Sequence, residues 1–163
     1  MLWFMDFNHY KFVTTWQLDA PVGDVFTALA DLATYPQWWQ EVREVRRIDD
    51  VSAELVIRSF LPYNLTFSSR QTRRDATAGV LEVSMRGDLD GFSRWTLTAA
   101  GVGRTEAVFE EDVVARKALL RRLALIARPA FRANHTVMMR HGQHGLAIFL
   151  AGYEAARSAK SEG

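Results

Sequence analysis

The chain has 163 residues, of which 48% are apolar and 24% charged, with a formal net charge of +1 and no cysteine. At this length folding buries roughly 70% of the unfolded chain's surface, so a single domain spanning the whole chain has room for a core, or for a core with a cavity inside it. The near-balanced charge gives no argument for a nucleic-acid partner or for an acidic membrane, and the missing cysteines exclude a disulfide framework, a zinc knuckle and a thiol nucleophile. The opening "MLWFMDFNHYKF" has neither the charged lead nor the small-residue cleavage site of a signal peptide, and its apolar residues are too interrupted to span a bilayer. A soluble cytoplasmic domain is expected.

Residues 10–20, "YKFVTTWQLDA", are rich in β-branched and aromatic side chains and predict a first strand. Pro21 then suits a first helical turn, Asp24 favours the helix dipole, and Val22, Val25, Phe26 and Leu29 recur at helical spacing. Asp31 is the N-cap expected for a second short helix, which Pro36 interrupts or restarts. After these two helices the period changes to two. Strands are predicted at about 42–49, 53–60, 64–73, 80–86, 89–99 and 104–115, separated by Asp49-Asp50, Pro62, Ala78-Gly79, Gly87-Asp88 and Gly101 to Gly103. One alternating set is apolar or small: Leu55, Ile57 and Ser59; Leu65, Phe67 and Ser69; Leu81, Val83 and Met85; Ser93, Trp95 and Leu97; Ala107, Phe109, Glu111 and Val113. The other set carries most of the charges, as in an antiparallel sheet with one wet face and one covered face.

The last third reads as helix. Unbroken from 117 to 158 it would run roughly 60 Å, and Pro129 predicts a kink or break before the longer second part. That second part is the element large enough to cover the sheet. The expected fold is therefore α+β and helix-grip: a curved antiparallel sheet of about seven strands around a long C-terminal helix, with two short helices after the first strand.

"LDAPVGDVFTALADLATYPQWWQEV" resembles the opening signature of the START-like superfamily, through Ala-Pro, Val25 and Phe26, Asp31, Tyr35-Pro36, Trp38-Trp39 and Val42. "FRANHTVMMRHGQHGL" is similar to a segment of its polyketide cyclase/dehydrase-like branch. The resemblance implies a cavity between sheet and long helix that holds apolar or amphipathic molecules such as polyketides, lipids or quinones. Some members are enzymes and many only bind, and the fold does not choose between them.

Three of the four histidines lie within 135–144. At about 100° per residue, His135 falls in the middle of an apolar seam with Phe131, Met139, Gly142, Leu146, Phe149 and Tyr153, whereas His141 and His144 point away. Three diverging rings cannot converge on one zinc, so no metal is expected, and His141 and His144 read as solvated. Gly142 and Gly145 cost helix propensity, which close approach to the sheet or room for a ligand would offset. His135 reads either as a core histidine satisfied by strand backbone or as a cavity-wall group bonding a ligand carbonyl or phenol. Asn134 belongs at the border of the seam.

Glu111 falls in the covered register, where a carboxylate must be paired, hydrogen-bonded or protonated. A Glu111–His135 pair in an apolar cavity could move a proton. A one-residue slip at a bulge would instead place Glu111 in water beside Glu110 and Asp112, and the sequence leans to the slip. The expected ligand-lining set is Phe67, Ser69, Met85, Ser93 and Trp95 from the sheet, with His135, Met139 and Phe149 from the helix. Trp38 is expected to be plain core. No cofactor is expected. "KALLRRLALIAR" (117–128) is an amphipathic basic helix that could touch a membrane or close over the cavity, but ordinary packing explains it, and membrane contact is not expected. "MLWFMDF" could pack on a second subunit, as in a homodimer, or cap its own sheet. The favoured function is binding of a small hydrophobic ligand. The alternative is a cyclase/dehydrase-type enzyme using His135 with Glu111.

Overall fold

The computed structural model describes residues 8–58, 61–122 and 124–161. Ser59 and the "MLWFMDF" stretch lie outside the described residues. Seven strands form one antiparallel sheet: β1 (His9–Leu18), β2 (Val42–Arg47), β3 (Ser52–Ile57), β4 (Leu65–Asp75), β5 (Val80–Gly87), β6 (Leu89–Ala99) and β7 (Thr105–Ala115). Their spatial order is β1-β7-β6-β5-β4-β3-β2. The first two strands thus occupy opposite edges and the chain crosses between them. That crossing is made by α1 (Val22–Ala30), a 3-10 turn (Leu32–Thr34) and α2 (Tyr35–Trp38). Asp31 caps the turn as its sequence position predicts, its carboxylate accepting from the Ala33 amide at 3.2 Å. The helix-grip architecture is the one predicted.

The helical third departs from expectation at one point. It divides into α3 (Ala118–Arg122) and α4 (Ala124–Ser161), and α4 continues through Pro129. Proline forfeits the bond to the carbonyl four residues earlier. Here that carbonyl belongs to residue 125, in the opening turn of a 38-residue helix, so a single bond is given up near its start.

The wet and covered faces follow the predicted alternation. On the outer face Glu82, Arg94 and Glu110 form one cross-strand row, with Arg94 Nη2 2.6 Å from Glu82 Oε2. The Arg94 guanidinium holds the Glu82 carboxyl below its usual range. The inner face buries two clusters. One gathers Trp16, Trp38, Trp39, Trp95, Leu146 and Leu150, and the other Tyr10, Phe67, Met85, Leu89, Leu120 and Phe131. Trp38 is core, as expected, at 6% exposure.

Three tryptophans seat α4. A side-chain carbon at Gly142 would lie 2.6 Å from Trp39 Cε2 and 2.9 Å from the Trp16 ring, and one at Gly145 would overlap the Trp38 carbonyl oxygen. The Trp39 indole N–H donates to the Met138 carbonyl at 2.9 Å. The two glycines therefore serve close approach, and the partners are α2 and β1. Along the β1 edge, Arg128 donates to the His9 carbonyl at 3.1 Å and Gln143 to the Gln17 carbonyl at 3.2 Å. The opposite edge, β2, has a register irregularity between Val42 and Glu44.

Gly145→Ala should destabilise the protein by about 1–3 kcal/mol despite its higher helix propensity, because the backbone of α2 must move. Gly152→Ala, with open space around it, should stabilise by up to about 1 kcal/mol. Urea denaturation of the two variants measures both signs.

Candidate functional site

The sheet does not close on α4. Between them lies a cavity of about 630 Å³ that draws its lining from both buried clusters. Strand register explains its chemistry. One cross-strand row of the concave face reads Gln71, Val83, Ser93, Glu111, Phe12, passing from β4 through β5, β6 and β7 to β1. The next row is apolar at its centre, Leu81, Trp95 and Phe109, with Arg74 and Thr14 at its two ends. A polar stripe therefore crosses an otherwise greasy floor. Ser69, two residues before Gln71 on β4, is 3% exposed, and its hydroxyl has no hydrogen-bond partner among the described residues.

The stripe ends beneath His135. Its Nε2 lies 3.0 Å from Glu111 Oε2, and the two side chains are 12% and 9% exposed. With Glu111 ionised, Nε2 is the donor. The Phe12 ring stacks on the imidazole with centroids 3.7 Å apart and planes within 6°. Carboxylate and phenyl together fix the ring's orientation. Nδ1 has no protein hydrogen bond among the described residues, which leaves it for a ligand. Tyr63, also in the lining, has its phenol pushed up to about 12 by burial, so it stays a neutral donor. Tyr35 hydrogen-bonds the Leu29 carbonyl at 2.8 Å, and burial raises its phenol as well.

Phe67, Ser69, Met85, Ser93, Trp95, Glu111, His135 and Met139 all border this cavity. Phe149 does not. It is half-buried against the tryptophan cluster, because the glycine contact at Gly142 closes the cavity before the helix reaches it. The slip expected at Glu111 is also absent. β7 pairs with β6 and with β1 from end to end without a register shift, and a slip would expel Phe109 and Val113. Asn134 is 5% exposed and lines the cavity rather than bordering the seam. Phe12 and Gln71 were not anticipated, although simple alternation from Trp16 and from Ser69 points both inward.

The other two helical histidines part company. His144 is exposed, as expected. His141 is not merely solvated: its Nδ1 lies 2.5 Å from Oε1 of Glu41, a carboxylate 4% exposed, and Gln40 donates to the same oxygen at 3.1 Å. The second Glu41 oxygen is buried without a partner. Among the described residues the three rings thus end in a cavity, on a buried acid and in solvent.

The fold around this cavity is that of a helix-grip domain. The family model for polyketide cyclase/dehydrase and lipid transport matches residues 18–138, and the chain belongs to that family. Zhui aromatase/cyclase from Streptomyces sp. R1128 shares the fold with a TM-score of 0.74 at 18% identity, over 95% of this chain and 98% of that one. A START superfamily protein from Mycobacterium smegmatis has a TM-score of 0.69 at 13% identity, over 88% and 98%. The di-domain aromatase/cyclase StfQ of the steffimycin biosynthetic pathway has a TM-score of 0.69 at 13% identity, over 91% of this chain and 53% of that one. No curated protein matches the sequence. Among the described residues no helix is long and apolar enough to cross a membrane.

His141→Ala should cost about 1–3 kcal/mol by leaving the Glu41 carboxylate buried with less compensation. Adding Glu41→Gln should recover part of that loss. A double-mutant cycle by urea denaturation reads the coupling.

Proposed function

We propose that the protein binds a small, largely apolar molecule carrying oxygen, of polyketide, lipid or quinone type, in the cavity between sheet and α4. The observation that carries this reading is the Ser69 hydroxyl, buried in the cavity wall without a partner. A hydroxyl on the wall of a largely apolar cavity can donate to or accept from a ligand oxygen. Apolar walls would supply affinity, while Ser69, Ser93 and His135 would set orientation.

A second reading is favoured by one further observation, the hydrogen-bonded His135–Glu111 pair inside the same cavity. In a cyclase/dehydrase-type reaction Glu111 would hold the Nε2 proton. Nδ1 would take a proton from a carbon between two carbonyls and return it to an oxygen of the product. His135 and Glu111 are then the acid/base residues, with Phe12 holding the ring in place.

Mass spectrometry of an organic extract tests the first reading. A compound released by the parent protein and missing from a still-folded Met139→Trp variant would support it, and identical extracts would oppose it. Deuterium exchange into a simple 1,3-diketone tests the second. His135→Phe should retain ligand and lower exchange at least 100-fold, within the span of roughly 10²–10⁴ that acid/base groups contribute. Unchanged exchange would leave binding as the function.

A further inference from the structure

We propose that the outer face of α3 and the first turns of α4 dock on an anionic lipid bilayer. The net charge of +1 conceals a sharp asymmetry, for residues 113–153 contain seven arginines and lysines and no aspartate or glutamate. Within that stretch Arg116 and Lys117 are held by Asp90 and Asp88. Arg128 and Arg132 lie over the Tyr10 ring. Arg121 and Arg122 are exposed and have no acidic partner among the described residues.

In the chain Leu119, at 46% exposure, stands two residues before Arg121, and Ile126, at 78%, four residues after Arg122. Leu120, at 2%, points the other way and joins the buried cluster of Met85, Leu89 and Phe131. Helix packing on the sheet accounts for Leu120 but leaves Leu119 and Ile126 unexplained. Unpaired arginines flanking exposed aliphatics match a surface that is anionic outside and apolar beneath, which a bilayer interface is. An acidic protein face would meet the charge and not the aliphatics. Met85, Leu89 and Phe131 also line the cavity.

The test is co-flotation of the full chain with vesicles of phosphatidylcholine alone, or with about one third phosphatidylglycerol, at low ionic strength. Flotation should require the anionic lipid. Arg121→Gln with Arg122→Gln should lower partitioning about 25-fold, at about fivefold per cation. Ile126→Ser, which leaves the charge unchanged, should lower it several-fold more than the same change at exposed Ile48, outside the 113–153 basic stretch. Circular dichroism and Tm confirm that these surface variants stay folded. Flotation that ignores the anionic lipid, that survives loss of both arginines, or that is indifferent to Ile126→Ser would overturn the proposal. So would polyglutamate in solution binding the chain and displacing it from the vesicles.

Discussion

The contact between two glycines and three tryptophans sets the position of α4, and the rest of the molecule follows from it. Gly142 and Gly145 have no side chain to hold the helix away, so it descends onto Trp16, Trp38 and Trp39 until backbone meets ring. The Trp39 indole then bonds the helix backbone at Met138. N-terminal to this pin the helix rests on β1, with Phe131 against Tyr10 and His135 on Phe12, and spans a gap over the strands beyond. The space it leaves there is the cavity, and the side chains just N-terminal to the pin, Met139, Met138, His135 and Asn134, line it. Close packing at the middle of the helix thus adjoins hollowness beside its N-terminal half.

The hollow end keeps polar groups that a solid core would reject. Glu111 and His135 satisfy each other, but the Ser69 hydroxyl does not find a partner, and Gln71 and Ser93 extend the same polar surface across three strands. Sequences that specify a single fold tend to break a local rule only where function requires it. Here the breaks sit side by side in one cavity, whereas the outer face of the sheet obeys the rules, with Arg94 bridging two carboxylates in register.

Much of this was legible in the chain because the signals are local. Alternation bounded by Gly, Pro and Asp placed every strand, and helical spacing put His135 and Met139 on the inner seam. The parts that could not be read are those decided by distant partners. Glu41 and His141 meet across a hundred residues, and nothing near either announces the other. Glu111 looked too polar to be inside; only the uninterrupted pairing of β7 on both flanks fixes its face. Phe149 lies on the right side of an ideal helix, but the cavity had already ended. Pro129 was the conspicuous breaker, yet its nearness to the start of α4 made it harmless.

The order of the strands has a further consequence at the two open margins of the sheet. An uncovered margin invites another chain to add a strand and so begin an aggregate. At β1 the helix itself supplies the guard, since Arg128 and Gln143 occupy backbone oxygens near either end of the strand. At β2 the guard is electrostatic and geometric: Arg43, Glu44, Arg46 and Arg47 crowd a strand of six residues whose register is broken at its start. The same long helix that shapes the cavity thus protects one margin, and charge protects the other.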